Sequence, residues 1–281
     1  MKLLRWGEKG REKPGMLDDS GKMRDLSGVI EDIDSAAVTA EGLARLKAVD
    51  PTSLPEVPAG ARLGPCIGNV GKFVCIGLNY ADHAAESNLP IPTEPVVFMK
   101  ATSCIVGPHD AIEIPRSSRK TDWEVELAFV IGKEAKYVSE EEALDHVAGY
   151  CIVNDVSERE FQAERGGQWV KGKSHDTFGP VGPYLVTSDE VADPQNLKLW
   201  LEVDGHRYQN GSTETMIFPV KKIVSYLSHF MSLQPGDLIS TGTPPGVGMG
   251  VKPEPVYLRP GQRVRLGVEG LGEQDCKTVQ A

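Results

Sequence analysis

The sequence has no long apolar segment and no excess of basic charge. No stretch approaches the roughly 18 apolar residues that a membrane-spanning helix needs, so we expect no membrane partner. The formal net charge is −10, which argues against a general nucleic-acid binder, because such proteins normally present a basic face. This charge does not exclude an anionic small substrate, since the charge around a site can oppose the overall sign.

Cysteine is scarce and irregularly spaced. The number is odd, and no two cysteines form a close C-x-x-C pair, which argues against a disulfide scaffold or a structural zinc site. We therefore expect buried thiols in a reducing compartment and, with no apolar signal segment near the start, a cytoplasmic protein. The cysteines are Cys66, Cys75, Cys104, Cys151 and Cys276.

The order of apolar runs and turn residues predicts a β-rich, mixed α/β fold. Residues 1–65 indicate a small N-terminal α+β module with a proline-rich linker, and residues 66–281 form the main domain. Helices are expected at residues 40–49, 139–146 and 219–233, the second with a capping box. Strands and hairpins are expected at residues 73–78, 96–99, 123–131, 148–153, 197–208 and 263–279.

Two acidic side chains alternate in one predicted strand. Glu124 and Glu126 would share a face, about 6.6 Å apart along the chain. Like charges in an apolar stretch repel each other and resist desolvation, and a divalent cation between them removes both costs. An edge strand with its polar face in water explains this pair alone equally well.

A third carboxylate strengthens the metal hypothesis. Asp155 follows the apolar run of residues 148–153. Three carboxylates with waters make an oxygen-rich octahedral site that suits Mg²⁺ or Mn²⁺. Zinc would favour imidazole or thiolate ligands, and neither lies at useful spacing beside these carboxylates.

A glycine-rich run at residues 242–248 has the sequence GTPPGVG. It lacks the Gly-Lys-Ser/Thr of a phosphate-binding loop and the glycine spacing of a dinucleotide site, so nucleotide binding is rejected. It predicts a tight loop that presents Thr243 and backbone N–H groups to a carboxylate. A purely structural turn is the alternative.

Six motifs in order resemble the fumarylacetoacetate hydrolase family over roughly residues 70–279. The first residues also resemble the branch that contains hydrolases of 2,4-diketo-3-deoxy-sugar acids (L-rhamnonate or L-fuconate series), many members of which are labelled ureidoglycolate lyase. His175 departs from the family pattern, where Phe is common, and either tunes specificity or is a tolerated replacement. The motifs are GLNYADH (77–83), FMK (98–100), WEVE (123–126), NDVSER (154–159), KSHDTFGP (173–180) and ISTGTPPGVG (239–248).

The resemblance implies a fumarylacetoacetate-hydrolase-like catalytic domain, a homodimer, and Mg²⁺ or Mn²⁺ held by Glu124, Glu126 and Asp155. His83 and Glu86, spaced i and i+3, would act as general base and orienting carboxylate; without the resemblance, a surface helix with an incidental histidine is the simpler interpretation. Lys173 would donate to an oxyanion or to a ligating carboxylate. The candidate substrate-binding residues are Lys100, Arg159, Gln162, Thr177 and Thr243.

The expected activity is metal-dependent hydrolysis of a carbon–carbon bond in a 2,4-dioxo acid, which is the small-molecule partner and would release pyruvate or a similar 2-oxo acid. Related proteins also decarboxylate, isomerise or hydrate, because a fold does not fix the reaction. Oxaloacetate decarboxylation and ureidoglycolate lysis are therefore the alternative reactions. A catalytically inactive homologue that binds a metal or ligand is the alternative outside enzymes.

Overall fold

A computed structural model describes residues 1–82 and 91–281. Short strands dominate this part of the chain. In chain order they are β1 (Lys2–Trp6), β2 (Lys13–Leu17), β3 (Met23–Asp25), β4 (Phe73–Gly77), β5 (Val96–Lys100), β6 (Ile105–Val106), β7 (Ile112–Ile114), β8 (Thr121–Asp122), β9 (Val125–Ile131), β10 (Val147–Asn154), β11 (Ser157–Glu158), β12 (Gly179–Pro180), β13 (Leu185–Thr187), β14 (Lys198–Val203), β15 (His206–Ser212), β16 (Leu238–Ser240), β17 (Arg263–Val268) and β18 (Gly272–Gln280).

Helical segments are few and short. The α-helices of the described residues are α1 (Ala40–Lys47), α2 (Val170–Lys173) and α3 (Val220–Ser228), and a π-helical turn spans Glu160–Glu164. Single 3₁₀ turns occur at Pro51–Ser53, Thr102–Cys104, Ala143–His146, Ser188–Glu190, Thr213–Thr215 and Gly248–Gly250. Among these described helices, none is long and apolar enough to cross a bilayer. The prediction of a strand-rich mixed fold is confirmed.

Two larger sheets organise the described strands. One has nine strands in the order β3-β2-β1-β13-β10-β9-β16-β4-β5, and the other has five in the order β15-β14-β17-β18-β7. Within the first, β9 and β10 lie near the centre, and every residue of both strands is buried. Strands covered on both faces are expected to be apolar throughout. Glu126 in β9 is therefore a conspicuous exception.

The N-terminal strands continue the nine-stranded sheet. Strand β1 pairs with β13, with Lys2 opposite Val186 and Leu3 opposite Leu185. Farther along, Arg62 makes two hydrogen bonds of 2.7 and 2.6 Å to the carboxylate of Asp110. Residues on both sides of position 65 thus share one sheet and one charged network. The division of the chain at that position stays a prediction.

The predicted hairpin at residues 197–208 is confirmed by β14 and β15. Asp204 and Gly205 at its turn have φ values of 50° and 81°, as a type I′ turn requires at both positions. The helix predicted at residues 219–233 ends earlier, at Ser228, because Leu233 instead exchanges backbone hydrogen bonds of 2.9 Å with Ala135. Residues 139–146 form only a 3₁₀ turn at their end.

Candidate functional site

Pairing of β9 with β10 brings the three predicted metal ligands together. Glu126 lies opposite Val153 in the antiparallel register, and the N–H of Asp155 donates to the carbonyl oxygen of Glu124 at 2.9 Å. One carboxylate oxygen from each of Glu124, Glu126 and Asp155 lies within 4.8 Å of the other two. All three residues are buried, which argues against a polar edge strand facing water.

Two lysines neutralise part of this acidic cluster. The Lys173 Nζ donates to Glu124 Oε2 and to Asp155 Oδ2, both at 2.6 Å. From the other side, Lys100 Nζ donates to Asp155 Oδ1 at 2.6 Å and to the carbonyl oxygen of Val156 at 3.1 Å. Lys173 therefore contacts two predicted ligands, as expected for a donor to ligating carboxylates, while Lys100 supports Asp155.

Arg159 is the third cation of the site. Its Nη2 lies 2.8 Å from Glu124 Oε1, and its Nε donates to Asp122 Oδ2 at 2.8 Å. Its Nη1 donates to Gln162 Oε1 at 3.1 Å. The pair of Arg159 and Gln162 predicted from the sequence is thus formed, with the guanidinium directed mainly at protein carboxylates. Sequence reasoning missed Asp122, which is adjacent to the WEVE motif.

The surroundings separate the pKa values of the two glutamates. Burial would raise the pKa of Glu124, but the nearby charges of Lys173 and Arg159 lower it to about 2. Burial raises the pKa of Glu126 well above its usual range, and the negative charges of Asp155 and Glu124 add to this effect. Glu126 is therefore the carboxylate whose charge most needs a further cation.

Groups from the glycine-rich segment orient Glu126. Its Oε2 accepts a hydrogen bond from the Ser240 hydroxyl and another, at 2.9 Å, from the Gly242 N–H. Gly242 has a φ of 95°, and a side chain there would meet the Asn79 Cβ at 2.9 Å. The segment does present backbone to a carboxylate, but that carboxylate belongs to the protein. Ser240 belongs to the ISTGTPPGVG motif, and the sequence alone indicates no role for it.

Both predicted substrate-binding threonines make hydrogen bonds to other groups of the protein. Thr243 donates to the Val125 carbonyl oxygen and accepts from Gln209 Nε2, both at 2.8 Å. Thr177 Oγ1 accepts from the Glu113 N–H at 2.8 Å. Of the two, only Thr243 is among the described residues that line the cavity over the carboxylates.

This cavity has a volume of about 550 Å³. Its floor carries the three carboxylates and Lys173, with Arg159 beside them. One side is apolar and aromatic, and the Phe98 and Trp169 rings lie 5.2 Å apart. The remaining described lining residues are Ile76, Gly77, Leu78, Gln162, Ala163, Glu164, Gly242, Thr243, Met249, Gly250, Lys252 and Tyr257.

The predictions for His83, Glu86 and His175 have different outcomes. His83 and Glu86 lie outside the described residues, so their role as a dyad stays a prediction. The His175 ring packs against Phe178 with centroids 5.3 Å apart, and His175 is not among the described residues of the cavity lining. This placement favours a tolerated replacement over a role in specificity.

Comparison with known proteins identifies the family of this chain. The pattern of the family described as fumarylacetoacetate (FAA) hydrolase C-terminal matches residues 72–279. A Burkholderia orbicola protein that carries only the provisional name of a hydrolase is 65% identical over 281 residues, which is 100% of both chains.

Two solved structures are similar over the whole chain. Fumarylacetoacetate hydrolase from Exiguobacterium antarcticum has a TM-score of 0.89 and 37% identity, with 100% of both chains covered. Maleylpyruvate hydrolase from Sphingobium sp. SYK-6, solved in complex with a manganese(II) ion and pyruvate, has a TM-score of 0.83 and 28% identity, again with 100% of both chains covered. The chain therefore belongs to the fumarylacetoacetate hydrolase family.

Proposed function

We propose that this protein is a divalent-metal-dependent hydrolase that cleaves a carbon–carbon bond in a 2,4-dioxo acid. The observation that carries the proposal is the buried group of Glu124, Glu126 and Asp155, with oxygens within 4.8 Å of one another at the floor of a cavity. Such a donor set suits Mg²⁺ or Mn²⁺. The manganese and pyruvate in the maleylpyruvate hydrolase structure support this choice of ligand chemistry.

The residues present fit a divalent cation. Glu126 has a raised pKa because it is buried beside two other carboxylates, and a cation would relieve that repulsion. Glu124, Glu126 and Asp155 would hold the ion, and Lys173 would keep two of them oriented. When bound, the ion supplies a positive charge that stabilises negative charge developing on the 2-oxo oxygen of the substrate.

The protein's own side chains would move the protons. His83 takes a proton from water, and the resulting hydroxide attacks the 4-oxo carbon, with Glu86 stabilising the imidazolium. Lys173 donates to the oxygen of the tetrahedral intermediate. The bond between carbons 3 and 4 then breaks, and its electron pair forms the enolate of pyruvate. The proton taken up by His83 is finally given to carbon 3, which restores the neutral imidazole.

The cavity has room for more than a three-carbon acid. Gln162, Lys252 and Tyr257 also line it and offer hydrogen-bond donors of different kinds. These side chains suit a substrate whose distal part carries several oxygens, such as a deoxy-sugar acid. Phe98 and Trp169 would contact its carbon skeleton.

An assay of pyruvate release across a panel of 2,4-dioxo acids tests the proposal. The panel should contain simple acylpyruvates and diketo-deoxy-sugar acids, each with Mg²⁺, with Mn²⁺ and with a chelator. We expect turnover that depends on the metal and favours a hydroxylated distal chain. The ratio of kcat/KM with the two metals shows which ion the site uses better.

The same panel distinguishes the alternatives. Carbon dioxide release from oxaloacetate without cleavage of any dioxo acid would identify a decarboxylase, and glyoxylate release from ureidoglycolate would identify a lyase. Metal binding without any turnover would indicate an inactive homologue. We also propose a homodimer, from the family resemblance, and a location in the cytoplasm, from the five buried free thiols.

A further inference from the structure

Asp122 is a fully buried carboxylate beside the candidate metal site. Its Oδ1 accepts from the N–H groups of Trp123 at 2.8 Å and Gly248 at 2.7 Å. Its Oδ2 accepts from the Met249 N–H at 3.0 Å and from Arg159 Nε at 2.8 Å. Four donors thus converge on one side chain that the proposed reaction does not use.

The N–H groups of Gly248 and Met249 connect Asp122 to one wall of the cavity. Met249 and Gly250, in the 3₁₀ turn Gly248–Gly250, both line the cavity. A side chain at Gly248 would lie 2.7 Å from Asp122 Oδ1 and 2.0 Å from the Val256 carbonyl oxygen. The turn therefore lies directly against Asp122, and two of its N–H groups donate to that carboxylate.

Arg159 connects Asp122 to the predicted metal ligand Glu124. Arg159 donates its Nε to Asp122 and places its Nη2 2.8 Å from Glu124 Oε1. A guanidinium is planar and rigid, so a contact at one edge fixes the direction of the other. Asp122 also offsets the charge of Arg159, which would otherwise repel a cation bound at Glu124.

We propose that Asp122 is a positioning residue that sets both the Glu124 carboxylate, through Arg159, and the cavity wall at residues 248–250. This inference rests on the proposed function, because it assigns the consequence to metal and substrate binding. It predicts that losing the Asp122 charge weakens both kinds of binding while the reacting groups stay in place.

A purely structural role is the competing explanation, and the chain offers a matched control. Asp237 is also a buried carboxylate, and it accepts from the N–H groups of Lys72 at 2.9 Å and Gln234 at 2.7 Å. Its carboxylate forms an ion pair with Lys72, whose Nζ lies 2.6 Å from Asp237 Oδ2. It is not among the described residues of the cavity lining. Asp237→Asn should lower stability without changing the site.

The test measures Mn²⁺ binding to the metal-stripped, full-length protein, and then KM and kcat for a cleaved 2,4-dioxo acid at saturating Mn²⁺. For Asp122→Asn we expect the Kd for Mn²⁺ to rise about tenfold, a typical loss when a residue that orients a ligand is changed. We also expect KM to rise by a larger factor than kcat falls. Asp237→Asn should leave Kd and KM unchanged.

Unchanged Kd and KM in folded Asp122→Asn, or equal shifts in Asp237→Asn, would overturn the inference. If Asp122→Asn does not fold, Arg159→Lys tests the same link, since lysine lacks the rigid planar group through which one contact fixes the direction of the other, and an unchanged Kd would again overturn the inference. Where both variants fold, the double variant should weaken Mn²⁺ binding by less than the product of the two single effects, because the two residues act through one contact. A wild-type protein that binds no Mn²⁺ would instead refute the proposed function itself.

Discussion

Lys100 and Asp155 form an ion pair in which neither side chain has any exposed surface, with 2.6 Å between Lys100 Nζ and Asp155 Oδ1. Removing one partner of a buried pair is costly because it leaves the other charge without compensation. When Lys100 is replaced, Asp155 still contacts Lys173. The loss in the free energy of unfolding should therefore lie at the lower end of the range that is usual for buried ion pairs.

We therefore expect Lys100→Met to lower the free energy of unfolding by about 3 kcal/mol. Chemical denaturation in the presence of a chelator measures this value without a contribution from bound metal. Lys22→Met is the control, because the Lys22–Glu56 pair is exposed and such pairs contribute less than about 1 kcal/mol. Equal losses in the two variants would contradict the importance of the buried pair.

The metal prediction compares Glu126, which lies in strand β9, with Glu134, which follows the end of that strand. Activity should disappear with a chelator and return with Mg²⁺ or Mn²⁺. Glu126→Gln should weaken metal binding by more than about tenfold, because it removes a ligand charge rather than only its support. Glu134→Gln should have no effect, since Glu134 is exposed. Calorimetric titration measures both, and full activity in metal-free enzyme would refute the site.

The raised pKa of Glu126 predicts a pH effect with a definite sign. A carboxyl whose folded pKa lies above its unfolded pKa stabilises the fold at low pH, and this stability is lost as pH rises through the folded value. Mn²⁺ binds the ionised carboxylate. The stabilisation of the fold by Mn²⁺ should therefore grow as pH rises from the usual range of a glutamate pKa towards the raised pKa of Glu126. Glu124, with a pKa of about 2, should release no proton there.

The difference in Tm between Mn²⁺ and chelator, measured over a series of pH values from mildly acidic to mildly alkaline, checks this expectation. Metal binding should also release a proton at the acidic end of the series, which titrations in buffers of different ionisation enthalpy detect. Glu126→Gln should lose the proton release. A Tm difference that is independent of pH in the wild-type protein would count against Glu126 as the titrating group.

The prediction for His83 separates hydrolysis from decarboxylation. If His83 activates water, His83→Ala should slow cleavage of 2,4-dioxo acids by about 10²- to 10⁴-fold and keep its metal. Glu86→Gln should show a smaller loss in the same direction. Oxaloacetate decarboxylation needs no attacking water and should be far less sensitive to either change. Near-normal cleavage by metal-loaded His83→Ala would leave Lys173 or the metal site as the source of catalysis.

The sequence by itself determined the main strands that form the site, and it predicted the residues that we propose as ligands of a cation. Apolar runs predicted the buried strands on either side of the site. Alternation predicted that Glu124 and Glu126 share a face of one strand, whereas Glu124 lies just before the first residue of β9, Val125. The end of the next run placed Asp155 beside a strand terminus. These features are local, because they depend on the period of a strand and on which residues follow it.

Only the tertiary structure decided which groups surround these carboxylates. Asp122 and Arg159 are 37 positions apart in the chain, and Ser240 is 114 positions from the Glu126 that it contacts. Likewise, Thr177 bonds to Glu113 rather than lining the described part of the cavity. No periodicity encodes such pairs, because strand order, register and the path of each loop set the distances between residues far apart in sequence.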